Sequence, residues 1–324
     1  MNPEGGVPGV SVVVPLYNKG RYIGRALRSV LSQTFPDFEV IVVDDGSTDG
    51  GDLLVGEVCD PRVRLVTQDN RGVSAARNRG VSEARAGWIA FLDADDEWMP
   101  VFLANVMRLR EVFPGAGAYA TAWMKVEQEG GERRPATYRR LPPPPWEGYL
   151  PSYFLAAANA TQPVISSAVM VPREVILEVG GFPEDAQVGE DLTTWFRIAL
   201  TREIVFTWEY GAVYHMEAAN RTTELGRDPY WTHNIIDEAR KALKEDLVPE
   251  KKISEVKEFI AGKQLYLAAS MLNLGMRMEA QEYLKACVTE SFSTEKMRLS
   301  LLAALPTWAY FAISGVHQRS RGME

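Results

Sequence analysis

The chain contains only two cysteines, Cys59 and Cys287, far apart and outside any CxxC or zinc-ligand spacing. Neither a disulfide framework nor a metal knuckle is therefore expected, and both thiols read as small apolar side chains. No strand-like run is followed by GxGxxG or GxxxxGK[ST], so the dinucleotide fingerprint and the P-loop are both missing. Basic residues are in deficit, 35 Lys and Arg against 43 Asp and Glu, and the net charge of −8 argues against a broad nucleic-acid surface. The start, MNPEGGVPGVSVVVPLYN, lacks the basic segment of a secretory signal, so a cytoplasmic protein is expected. The sequons Asn159-Ala-Thr161 and Asn220-Arg-Thr222 are then coincidences.

A long uncharged run occurs once, between Arg298 and Arg319, and Pro306 interrupts it. Two readings of it stay open. It is a helix packed on the protein, or an interfacial helix with Lys296, Arg298, Arg319 and Arg321 against anionic headgroups on the inner face of a membrane.

What the first 125 residues do have is an alternation of two periodicities. Val10–Pro15, Phe38–Val43, Val63–Val66 and Trp88–Leu92 read as strands. Between them, Ile23, Leu27, Val30 and Leu31 share one helical face, Ser47-Thr48-Asp49 offers N-cap chemistry to a second helix, and Ser74–Ala86 reads as a third. This predicts an α/β, Rossmann-like, mostly parallel sheet with helices on both faces. Further on, Glu127–Arg140 reads as a hairpin or loop excursion and LPPPPW as extended chain. Val164–Val171 and Ile204–Trp208 read as strands, and Leu192–Leu200 as a helix. From Asp228 the pattern is helical, with a hairpin turning at Gly275. The expected divisions are residues 1–125, 126–225 and a helical region at 226–324.

Two apolar strands end in carboxylates: VIVVDDGS supplies Asp44 and Asp45, and IAFLDADD supplies Asp93, Asp95 and Asp96. Ligands of open α/β sheets bind outside the carboxyl ends of the strands. If these two strands are neighbours, both acid sets face one crevice, and clustered carboxylates there suit Mg²⁺ or Mn²⁺. Arg77, opening the helix between them, is placed to meet a phosphate, a ribose or a base edge.

The stretches SVVVPLYNKGRYIGRALRSVLSQTFPDFEVIVVDDGSTDG and GVSAARNRGVSEARAGWIAFLDADDEW together resemble the family 2 glycosyltransferases of GT-A fold. The likeness extends more loosely through GGFPEDAQVGEDLTTWFRIAL to His215. The resemblance implies inverting transfer of a sugar from a nucleoside-diphosphate sugar, UDP favoured, to a glycan or lipid-linked glycan acceptor, with Mn²⁺ or Mg²⁺. By the same resemblance, Asp93-Ala94-Asp95 is the DxD motif, with Asp95 on the metal. Pro15, Leu16 and Tyr17, with Asp44 or Asp45, form the wall for the base, and Arg77 meets the nucleotide. Asp191 of GEDLTTW stands where the family has its catalytic base. His215 is either a metal ligand or a hydrogen-bonded core residue. Arg221, Glu190, Ser167 and Trp195 are further candidates at the diphosphate or acceptor. A non-catalytic nucleotide-sugar-binding protein and a sugar-phosphate nucleotidyltransferase are the alternatives.

Overall fold

A computed structural model describes residues 6–128, 130–158, 161–186, 188–218 and 232–305. The chain divides into two compact units, Met1–Ala157 with Thr161–Leu225, and Ala158–Ala160 with Gly226–Glu324.

The first unit is built on a ten-stranded sheet. Its strands are β1 (Val10–Leu16), β2 (Phe38–Asp44), β3 (Val63–Thr67), β4 (Trp88–Phe91), β5 (Glu97–Trp98), β6 (Ala118–Val126), β7 (Arg134–Pro135), β8 (Glu147–Tyr149), β9 (Val169–Pro172) and β10 (Ile204–His215). The main path runs β3-β2-β1-β4-β9-β6-β10-β5, with β7 beside β6 and β8 beside β10. The first four strands pair in parallel. Beyond β4 the sheet is mixed, because β9 runs antiparallel to both β4 and β6. Two reversals restore direction, so β6 and β10 end at the same edge as β1, β2 and β4.

Every residue of β1 and β2 is buried, as their near-continuous apolar runs require. Val12 and Val14 pack toward α1 (Gly20–Leu31) and α4 (Phe102–Val112) on one face. On the other, Val13 meets α3 (Val73–Glu83) at Gly80, where an added Cβ would lie 2.3 Å from a Val13 methyl. That glycine lets the helix settle directly on the strand. A second apolar cluster on this side sets Phe182 edge to face against Phe91 and Trp195, with the three centroids 5.1 to 6.3 Å apart.

Several sequence expectations need correction. The short helix α2 (Gly51–Gly56) is capped by Gly50 in the left-handed region, and no Ser or Thr side chain caps it. Of the three residues expected to cap it, Asp49 does so, accepting from the Gly51 amide (3.0 Å) and also from the Gly20 amide (2.7 Å), serving two helix starts at once. The run Val164–Val171 is not one strand, since Ser166–Ala168 forms a 3₁₀ turn and pairing begins at Val169. The strand at Ile204–Trp208 continues to His215 through register shifts at Thr207 and Tyr210. Helix α5 (Tyr153–Ala157) follows the proline-rich stretch, α6 (Arg173–Glu178) ends at Gly180 and Gly181, and α7 spans Glu190–Thr201.

The second unit is helical: α8 (His233–Lys244), α9 (Ile253–Asn273), α10 (Arg277–Ala286) and α11 (Ser293–Ala304). The α9–α10 hairpin turns at Gly275, whose φ of 80° suits glycine. Arg277 and Gln281 of α10 both donate to the Ala303 carbonyl (2.7 and 3.0 Å), satisfying the end of α11. Among the described residues no helix is long and apolar enough to cross a membrane. The expected interfacial run lies largely outside the described residues, beyond residue 305.

Candidate active site

Strand order corrects one premise about the acids. β1 lies between β2 and β4, so the two acidic strand ends are not neighbours. They flank the loop that leaves β1, which is the switch point of an open parallel sheet and its natural ligand crevice. Of the expected wall, Pro15 and Leu16 are buried within the sheet edge, and Tyr17 stands out at 48% exposure.

Asp44 and Asp45 differ sharply. Asp45 accepts from Gln68 Nε2 (2.8 Å) and from the amides of Arg71 (2.9 Å) and Gly72 (2.7 Å). Its carboxylate thus shapes the loop into α3. Asp44 accepts from the Ser47 amide (3.2 Å) at the end of β2.

The three acids after β4 are separated by their partners. Asp96 is 1% exposed, and burial first, then Asp95 and Asp93, push its pKa well above the carboxylate range. Its carboxyl accepts from Ser167 Oγ (2.5 Å) and from the His215 amide (2.9 Å), tying β4 to the end of β10. Asp93 pairs with Arg77 (2.7 Å) and Asp95 with Lys19 Nζ (2.7 Å). Ala94 between them is packed in the core. Ser167 also accepts from the Asp93 amide (3.2 Å) and is itself buried, so it braces the acids from beneath.

Arg77 is the centre of the arrangement. Its Nη2 donates to Asp93 (2.7 Å) and its Nη1 to Glu190 (2.6 Å), with Cζ 5.2 Å from the Phe182 ring centroid. Burial alone would lower its pKa, but Asp93, Glu190 and Asp191 outweigh that and raise it. Glu190 and Asp191 open α7 behind Gly189, which adopts a φ of 78°. Asp191 accepts from the Leu192 amide (2.7 Å). Burial raises its pKa to about 7, with Glu190 and Asp93 adding and Arg77 opposing. Trp195, one turn on, is fully buried among aromatic rings. Tyr153 of α5 is buried where Asp191 acts on it, and burial and that charge both raise its pKa.

His215 is held by two carboxylates, Nδ1 at 2.6 Å from Glu217 Oε1 and Nε2 at 3.2 Å from Glu97 Oε1. Hydrogen bonding to His215 in turn lowers the pKa of Glu97. Among the described residues no group of three or more His, Cys, Asp or Glu is arranged to hold a metal. Asp95 would supply one ligand of suitable chemistry; His215, both of whose ring nitrogens face carboxylates, would supply a second only by releasing Glu97 (3.2 Å) from Nε2, with phosphate oxygens and water completing the shell of a hard cation. Arg221 lies outside the described residues. Sequence reasoning passed over Lys19, Asn78, Glu97, Tyr153 and Glu217. Of these, only Asn78 and Glu97 had a signal, adjacency to Arg77 and to the acid run.

The family model for glycosyl transferase family 2 matches residues 11–176. Succinoglycan biosynthesis protein ExoO of Rhizobium meliloti (strain 1021) is 46% identical over 121 residues, 36% of this chain and 34% of that protein, so the chain spans about a third of that relative. Residues 1–349 of S. aureus TarS, solved with UDP-GlcNAc, align with a TM-score of 0.68 at 18% identity, over 96% of this chain and 93% of that one. The mannosyltransferase PcManGT of Pyrobaculum calidifontis, solved with GDP-Man and Mn²⁺, gives 0.61 at 20% identity, over 98% and 89%. Motifs, sheet order and family match agree: this chain belongs to family 2 of the glycosyltransferases and has the GT-A fold.

Proposed function

We propose that the enzyme transfers a sugar from a UDP-sugar to a hydroxyl of a glycan or lipid-linked glycan, with inversion and with Mn²⁺ or Mg²⁺, in cell-envelope or polysaccharide synthesis. The observation that carries this is the Arg77 bridge, which joins Asp93 of the DAD motif (2.7 Å) to Glu190 of the GED motif (2.6 Å). One fixed guanidinium thereby links the donor end of the crevice to the carboxylate next in sequence, Asp191. The relative named for succinoglycan biosynthesis and the neighbours solved with UDP-GlcNAc or with GDP-Man and Mn²⁺ support the substrate classes.

Asp191 is the base that takes the acceptor proton as the hydroxyl attacks the anomeric carbon. With its pKa near 7, it is ionised in a useful fraction at neutral pH and basic enough to accept a proton. Asp95, with His215 once its Nε2 leaves Glu97, would hold the cation, which would supply stabilisation of charge on the departing diphosphate. Tyr17 and Asp44 receive the base and ribose side of the nucleotide, while Asp45 keeps the loop before α3 in shape.

Calorimetric titration with UDP, GDP and dTDP, each with and without Mn²⁺, tests the reading. UDP binding that needs Mn²⁺ and is lost in Asp95→Ala is expected. A preference for GDP moves the donor class, and no nucleotide binding by folded protein overturns the proposal.

A further inference from the structure

The carboxylate oxygen on which a metal would act already carries a cation. Lys19 Nζ lies 2.7 Å from Asp95 Oδ2, and the two side chains are 12% and 14% exposed. The backbone beneath Lys19 is pinned from both sides. Before it, Asn18 has a φ of 50° and is held by the Ser47 hydroxyl (3.1 Å) and the Thr48 amide (2.8 Å). After it, the Gly20 amide donates to Asp49 (2.7 Å). Lys19 is therefore fixed at its root, at the exit of β1, and reaches the acid through a flexible stem. The root stays in place if the ammonium moves.

The other cations here are differently bound. Arg77 spends both Nη groups on Asp93 and Glu190. Arg25 donates through Nη2 to the Asp95 carbonyl and stands 3.5 Å from Glu217 through Nη1, so it braces the backbone of the acid and the carboxylate that holds His215. Lys19 is the cation placed on the Asp95 carboxylate itself.

A divalent ion on either oxygen of Asp95 would stand within a few ångströms of this ammonium, and like charges at that range in a partly buried site repel strongly. The same ion brings a diphosphate with it, and three N–H donors on a long stem suit phosphate oxygens. We propose that Lys19 exchanges Asp95 for the donor's diphosphate as the metal takes Asp95, so that it opposes the metal alone and favours metal and nucleotide together. This rests on the metal-dependent nucleotide site proposed above.

The exchange predicts effects of opposite sign from one substitution. In Lys19→Met, which keeps the apolar stem, Mn²⁺ alone binds several-fold tighter, followed by the loss of the free-ion signal in electron paramagnetic resonance. UDP with Mn²⁺ binds about tenfold or more weaker, the scale of one lost charge-assisted hydrogen bond. Uridine, which has no phosphate, binds unchanged, and Lys19→Arg recovers most of the UDP affinity. If Lys19→Met weakens Mn²⁺, UDP and uridine alike, Lys19 is a packing residue and the exchange is overturned. Unchanged UDP affinity in that variant overturns it as well, while the nucleotide site stands. Failure of the wild type to bind UDP with Mn²⁺ removes the site itself, and the exchange with it.

Discussion

Asn78 and Phe182 hold one another by two hydrogen bonds, the Asn78 amide nitrogen donating to the Phe182 carbonyl and the Phe182 amide donating back to Asn78 Oδ1, both at 2.8 Å. Helix α3 is thus clamped to the loop that leads into α7, beside the Arg77–Glu190 contact. Replacing Asn78 by Leu leaves both backbone groups of Phe182 unpaired. We expect a loss of about 2–4 kcal/mol in urea unfolding, the cost of two orphaned groups, with a fall in kcat larger than any rise in KM for donor.

Asp191→Asn should lower kcat by roughly 10²–10⁴-fold, the range of a general base, while UDP affinity stays near wild type. In the wild type the kcat/KM profile should rise with pH through about 7, where the Asp191 carboxyl ionises. A flat profile across that range would remove Asp191 as the base.

The same group makes a stability prediction of definite sign. Its folded pKa lies above the ordinary 3.8, so the stability it contributes is fully present below 3.8 and is lost as pH rises through about 7. Asparagine does not ionise. Thermal melts should therefore show Asp191→Asn gaining on the wild type between pH 5 and pH 8.

Glu39 behaves oppositely. Burial would raise its pKa, but Ser11 Oγ (2.7 Å), the Arg85 amide (2.8 Å) and Arg85 Nε (2.8 Å) outweigh that and lower it. Its contribution is present above 4.5 and is lost as pH falls through the depressed folded value. Glu39→Gln should cost about 1–3 kcal/mol at pH 7, as a charged buried hydrogen-bond acceptor does, and less at pH 3.

Gly80→Ala places a methyl 2.3 Å from a Val13 side-chain carbon within the central packing of β1. We expect about 1–3 kcal/mol of destabilisation from overpacking. Donor binding should weaken too, because Arg77 lies one turn away on the same helix.

Local chemistry written in the chain was enough for the alternation of β1 through β4 with their helices, since apolar period and length dictate which segments bury one face or both. It was also enough for the acidic strand ends, because carboxylates that close an apolar strand emerge at its carboxyl edge whatever the neighbours. Other features depend on partners distant in sequence. The insertion of β9 between β4 and β6 is a matter of pairing, and the short apolar run Val169–Pro172 fits many registers equally well. Asp93, Asp95 and Asp96 are alike on paper, yet Arg77, Lys19 and the pair Ser167–His215 give them three different tasks. Hydrogen-bond geometry and burial separate them, and both arise only when segments from 16 residues apart, Arg77 and Asp93, to 119 apart, Asp96 and His215, pack against one another.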